Sequence, residues 1–183
     1  MQFDLLIVSP DEFNSLTTFQ DSPVDNTTPR VIYTDGSLLH SGIEEVVMAF
    51  SIIDPQQDTH LSVQERTDEY VFSAKTELMG LIAAIVATPD EQNIMVHLDN
   101  QSVVNQYQYI MQDRESILPR KRFRNTYTGL WAVLSYIVIK RQSRIEVEWI
   151  CGHNNDYGNE LADRTAKDAA QGDTVPWVMD LTQ

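Results

Sequence analysis

Val31-Ile-Tyr-Thr-Asp-Gly-Ser37 decides how the rest of the chain is read. Val31, Ile32, Tyr33 and Thr34 have strand character and run into Asp35, after which Gly36 and Ser37 are expected to turn the backbone away. Strand side chains alternate faces, so Val31, Tyr33 and Asp35 point the same way. The stretch therefore delivers a carboxylate at the end of a strand expected to be buried. A buried, unpaired charge is costly, so something must compensate it, and a metal ion is the first candidate. Taken alone, Asp-Gly-Ser is also a common Asx turn, and residues elsewhere must choose between the two.

The 183 residues suit one domain with a short appendage. A hydrophobic share of 42% and a charged share of 22% are those of an ordinary globular protein. No apolar run reaches membrane-spanning length, and Met1 to Val8 lacks the basic start of a secretory signal. Cys151 is the sole cysteine, which excludes an internal disulfide. These features lead us to expect an intracellular protein, cytoplasmic or nuclear, with no membrane partner.

The formal charge of −14 argues against general adhesion to nucleic acid. Its distribution says something different. Eight of the 13 Lys and Arg residues lie between Arg114 and Arg144, opposed there only by Glu115. A local anionic partner is compatible with that region.

Residues 1–29 hold five acids and no Lys or Arg, with Pro10, Pro23 and Pro29 as breakers, so Thr17 to Pro29 reads as linker. The expected division is an acidic N-terminal segment over 1–29, a domain over 30–171 and a tail over 172–183. Within the domain, Val46 to Ile53 reads as a central strand and His60 to Arg66 as a third. Ser73 can cap a helix with its apolar residues at Leu78, Leu81, Ile82 and Ile85, closed by Pro89. Glu77 lies one turn before Leu81 and so shares the buried face. Ile94 to Asp99 is a strand again ending in an acid. Helices are expected over Asn100 to Met111, Thr126 to Lys140 and Asp156 to Gln171, with a strand over Arg144 to Ile150. The order β, β, β, α, β, α, α, β, α implies an α/β fold: a mixed sheet, antiparallel meander plus parallel crossovers, flanked by helices.

Asp35 and Asp99 end strands that can lie side by side, where open α/β sheets bind ligands. Glu77 projects onto that sheet from the first turns of a crossover helix, and Asp163 lies on the last helix, ten residues after His153. Converging carboxylates repel unless cations intervene, and hard oxygen-preferring ions, Mg²⁺ or Mn²⁺, suit the set. Two such ions are the apparatus for in-line attack on a phosphodiester. The bland alternative is four unrelated, solvated acids.

Tyr33-Thr-Asp-Gly-Ser37, Thr76-Glu-Leu78, Leu98-Asp99 with Gln101-Ser-Val103, and Gly152-His153 through Asn159-Glu-Leu-Ala-Asp163 resemble the motifs of the type 1 ribonuclease H family, cellular or from retroelement reverse transcriptases. The resemblance spans about Arg30 to Ala170. It implies a five-stranded mixed sheet and hydrolysis of the RNA strand of RNA–DNA hybrids by two Mg²⁺ ions (Mn²⁺ in substitution), leaving 3′-hydroxyl and 5′-phosphate ends. Asp35, Glu77, Asp99 and Asp163 would be metal ligands, His153 would assist proton transfer or product departure, and Glu160 would be an accessory acid. Gly36, Ser37 and Gln101 are implied as contacts to the RNA, and Arg120, Lys121, Arg122 and Arg124 as a basic contact to the DNA strand. One departure stands out: Phe72-Ser-Ala-Lys75 replaces the family's asparagine-rich approach to the glutamate, leaving Ser73 or Lys75 as substitutes. A reverse transcriptase is the protein partner a retroelement origin would bring. Two rivals follow from the same residues: an idle fold serving as a binding module, and a related nuclease cutting DNA.

Overall fold

In the computed structural model, the strand that opens at the quoted stretch does not stop at Asp-Gly-Ser. The structure describes Phe19 and residues 23–41, 45–67, 72–112, 127–152 and 154–172. Strand β1 runs Arg30–Ser41, so Gly36 and Ser37 continue it rather than turn it. The reason is the neighbour. β2 (Glu45–Asp54) pairs antiparallel with β1 from Tyr33↔Ile53 to Ser41↔Glu45, and this ladder holds the Gly36 and Ser37 backbone extended opposite Phe50 and Ala49. β3 (Thr59–Thr67) completes the meander.

Helix α1 (Ser73–Ala87) then crosses to β4 (Ile94–Leu98), which pairs parallel with β1, but only from Arg30↔Ile94 to Tyr33↔His97. Helices α2 (Gln101–Gln112) and α3 (Thr128–Lys140) lead to β5 (Ile145–Trp149), parallel to β4, and α4 (Tyr157–Gln171) ends the described chain. The sheet order is β3-β2-β1-β4-β5, the mixed five-stranded arrangement expected. β1 outruns β4. Asp35 therefore sits mid-strand, at the point where its parallel neighbour has ended and a crevice opens.

The helices form two unequal layers. Ile32, Ile52, Leu78, Leu81, Ile82, Ile85, Val96, Leu98, Trp131 and Leu134 build one core with α1 to α3, each Leu or Ile worth about 1.5–3 kcal/mol when fully buried. The expected stripe Leu78, Leu81, Ile82, Ile85 is all within it. On the other side, α4 presents Gly158, Asn159, Ala162, Ala166, Ala169 and Ala170, small residues that let the helix lie low on the meander. Ser51 Oγ donates to Ala162 O at 2.7 Å, and Gln64 Nε2 donates to Ala170 O at 3.2 Å and Gly172 O at 3.0 Å. Polar groups on the sheet thus hold α4 in register.

The segment before β1 is not a free linker where it is described. Asp25 N donates to Gln92 Oε1 and Gln92 Nε2 returns a bond to Asp25 O. Asn26 bridges Glu91 O and Asn93 N. Arg30, 5% exposed, pairs with the fully buried Asp54 and stacks over the Phe19 ring. On the acid's side the pair is well satisfied, since Asp54 also accepts from Gln56 N and Gln57 N, whereas Arg30 donates from Nε to Asp54 and from Nη1 to Phe19 O and leaves its buried Nη2 without a partner among the described residues. The N-cap of α1 is Phe72, with no side-chain cap bond, so Ser73 is the first helical residue instead of the cap. None of the described helices is long and apolar enough to cross a membrane.

Candidate active site

Continuing the Tyr33↔His97 register by two residues brings Asp35 beside Asp99 on one face of the sheet. This is the face α4 covers, since Ser51, opposite Asp35, bonds the α4 backbone. Glu77 comes from α1 in the opposite layer. It passes through the crevice beyond the end of β4, because α1 lies unusually close to β1. A Cβ on Gly36 would fall 2.2 Å from Thr76 Oγ1 and 2.8 Å from Glu77 N; one on Gly80 would fall 2.2 Å from Thr34 Oγ1. Two glycines, one on each element, permit the approach.

The result is a carboxylate cluster. One oxygen each from Asp35, Glu77 and Asp99 lies within 4.8 Å of the others. Asp35 and Glu77 are buried, and Glu77 Oε2 has no hydrogen-bond partner among the described residues. Burial first, then the charges of Asp99 and Asp163, push the Asp35 carboxyl up to about 7, against a bond from Gly36 N that favours the ionised form. Burial and the charges of Asp35 and Asp99 push Glu77 well above the usual carboxylate range. Metal-free, the cluster holds protons; a divalent cation would replace them. The donor set fits such an ion: carboxylate oxygens only, converging, with a buried Glu77 oxygen that has no partner among the described residues.

Asp163 approaches Asp35 from α4, near enough to hydrogen-bond a protonated Asp35. Its own partner is one turn along the helix, where Lys167 Nζ lies 2.7 Å from both Oδ1 and Oδ2. Sequence reading did not single out Lys167, although the i, i+4 spacing was there to see. Nor did it connect Trp149 or Gly152 with Asp99. Trp149 Nε1 donates to Asp99 O at 3.0 Å, and Gly152 lies against the carboxylate, so that a Cβ there would sit 2.6 Å from Asp99 Oδ2.

The other expected residues are placed as follows. Gly36 N bonds its neighbour Asp35 Oδ1 at 2.8 Å, and Ser37 is buried beside it. Gln101 opens α2, exposed, with Nε2 on Asn105 Oδ1. Glu160 is exposed in the first turn of α4, whose N-cap Asp156 accepts from Asn159 N. Ser73 is exposed and Lys75 partly buried in the first turn of α1. His153, Arg120, Lys121, Arg122 and Arg124 lie outside the described residues. The basic region is also smaller than its count suggests. Arg141 is buried and spent on backbone carbonyls, and Arg144 pairs with Glu146 at 3.0 Å.

Residues 27–171 match the RNase H family. The chain belongs to that family. Among curated relatives it is similar to the ribonuclease H of Bordetella avium (strain 197N), 26% identical over 108 residues, which are 54% of this chain and 65% of that protein. Among solved structures, the chain is similar to the foamy viral protease-reverse transcriptase in complex with RNA/DNA hybrid, with a TM-score of 0.56 at 15% identity, covering 81% of this chain and 22% of that one. The same viral protein solved with dsDNA gives 0.55 at 19% identity, over 76% of this chain and 92% of the other. At these identities the structural likeness concerns the fold, and it agrees with the sheet described above.

Proposed function

We propose that the chain is a metal-dependent endoribonuclease that hydrolyses the RNA strand of RNA–DNA hybrids, leaving 3′-hydroxyl and 5′-phosphate ends. One observation carries the reading: Asp35, Glu77 and Asp99 converge within 4.8 Å with a buried Glu77 oxygen left unpaired, an arrangement suited to a divalent cation. Family membership makes phosphodiester hydrolysis the matching chemistry.

Asp35, Glu77, Asp99 and Asp163 would hold two Mg²⁺ ions, for which Mn²⁺ can substitute. Bound there, the ions supply an activated water and charge stabilisation at the leaving 3′-oxygen. Asp35, which neighbours Asp99, Glu77 and Asp163, would be a ligand of this centre. Glu77 contributes an oxygen whose burial keeps it from competing water. Trp149 and Gly152 hold Asp99 from its backbone and carboxylate sides. His153, next in sequence to Gly152, would carry protons to or from the leaving group, with Glu160 an accessory acid. RNA would be told from DNA through its 2′-hydroxyls in the shallow minor groove, with Gly36, Ser37 and Gln101 as contacts. Arg120, Lys121, Arg122 and Arg124 would meet phosphates of the DNA strand. The foamy viral protein similar in fold was solved in complex with an RNA/DNA hybrid, which is the partner taken here.

The test is direct. Labelled RNA–DNA hybrid, duplex DNA and duplex RNA are each incubated with the chain and Mg²⁺. Cleavage confined to the RNA of the hybrid, abolished by EDTA and by Asp35→Asn, is the expected result. Cutting of duplex DNA, or hybrid binding without cutting, would overturn the reading.

A further inference from the structure

Asp163 differs from its three partners in one respect: both of its oxygens are already occupied. Lys167 Nζ is 2.7 Å from Oδ1 and 2.7 Å from Oδ2, from the next turn of the same helix. The lysine is 52% exposed and the aspartate 25%. A lysine ammonium is a compact charge on a four-carbon stem, able to leave its partner by rotation alone. The rest of the cluster is carboxyl groups, and of the four acids only Asp163 has a lysine or arginine on it among the described ion pairs.

We propose that Lys167 is a built-in counter-ion that occupies Asp163 while the site is empty and must yield an oxygen when a second divalent ion binds. This deepens the metal-centre reading and rests on it. Lys167 is then a positioning residue. It keeps Asp163 directed at Asp35 before loading, and it weakens the second ion by competing for the same oxygens and by repulsion. The first ion, held by Asp35, Glu77 and Asp99, would be little affected. The side-chain type matters here. An arginine would grip the carboxylate with a fixed two-pronged fork and release it less readily.

The experiment uses the full chain, stripped with EDTA, titrated with Mn²⁺ at fixed ionic strength while free Mn²⁺ is followed by electron paramagnetic resonance. In Lys167→Met the second ion should bind about two- to fivefold more tightly than in wild type, since an exposed ion pair's worth of competition is gone. The first ion should shift by less than about twofold. Lys167→Arg should bind the second ion no more tightly than wild type. Raising the salt concentration should narrow the gap between Met and Lys, as screening requires. Unchanged or weaker second-ion binding in Lys167→Met, with the first ion normal, overturns the counter-ion role alone. Equal weakening of both ions would make Lys167 a fold-supporting residue and overturn it too. A wild-type chain that takes up no Mn²⁺ overturns the metal centre itself, and this inference with it.

Discussion

Gly152 and Asp99 are in such close contact that a methyl group on the glycine would sit 2.6 Å from the aspartate's Oδ2. The three atoms nearest to that methyl group all belong to the Asp99 side chain, which can rotate, so the backbone need not move. Gly152→Ala should therefore cost little stability, within about 1 kcal/mol, while swinging Asp99 out of the cluster. The expected outcome is a loss of hybrid cleavage of about tenfold or more, because ångström misplacement in such a site is costly. Circular dichroism melts beside initial rates would check it. Full activity in the alanine variant would mean that Asp99 tolerates the displacement, and the glycine would need another explanation.

Gly36 presents the opposite case. Its virtual Cβ meets Thr76 Oγ1 at 2.2 Å, but also the backbone nitrogen of Glu77 at 2.8 Å. Trimming Thr76 cannot relieve a clash with the main chain. Gly36→Ala should push α1 off the sheet, destabilising by about 1–3 kcal/mol and carrying Glu77 away from Asp35. Adding Thr76→Ala should recover only part of the stability and none of the activity. Complete rescue by that second change, read from denaturant midpoints, would refute the backbone clash.

Arg141 predicts a loss confined to stability. It is 8% exposed and donates to Ile85 O at 2.6 Å, Thr88 Oγ1 at 3.0 Å, Gln92 O at 3.1 Å and Thr88 O at 3.2 Å. It thereby satisfies the orphan carbonyls at the C-terminal end of α1, the end opposite Glu77. Arg141→Met should cost at least about 1–3 kcal/mol, the penalty for leaving a buried carbonyl without its donor. Lysine, with three donors from one nitrogen, should recover less than half of that. Cleavage per folded molecule at low temperature should not change in either variant, which thermal melts and rates together would establish.

What was legible in the sequence follows the reach of each interaction. The alternation of Val31 to Asp35, the helical spacing of Leu78, Leu81, Ile82 and Ile85, and the sharing of that face by Glu77 are local periodicities, and they led to the sheet, the helices and the three clustered acids. The turn expected at Gly36-Ser37 was overridden by pairing with Phe50 and Ala49, partners more than ten residues away in the chain. Asp25 and Asn26 look like linker until their bonds to Glu91, Gln92 and Asn93 are seen. Arg141 reads as one more surface cation in a basic stretch, because nothing local marks it as a cap for a helix over fifty residues earlier. Gly152 was read as part of a loop carrying His153, while its closeness to Asp99 is a property of the folded chain alone.

The protons held by the empty cluster make its stability depend on pH in a definable direction. The Asp35 carboxyl is raised from 3.8 to about 7 by folding, through burial and then the charge of Asp99. Below about pH 4 both folded and unfolded chains carry that proton. Between about 4 and 7 the folded chain keeps it and the unfolded chain has lost it, so the metal-free protein loses stability as pH rises, by up to about 1.4 kcal/mol per unit. Glu77, raised in the same direction, adds to the fall and extends it upward. Denaturation in EDTA should therefore show a less stable protein at pH 8 than at pH 5. General repulsion in a chain of charge −14 would act in the same sense, so the decisive comparison is Asp35→Asn. An amide cannot ionise, and this variant should be about as stable as wild type at pH 5 yet more stable at pH 8. Millimolar Mg²⁺ should close that gap for wild type at pH 8 and do little at pH 5, where protons compete for the same oxygens. An Asp35→Asn profile parallel to wild type across this range would show that the Asp35 proton is not what the fold retains.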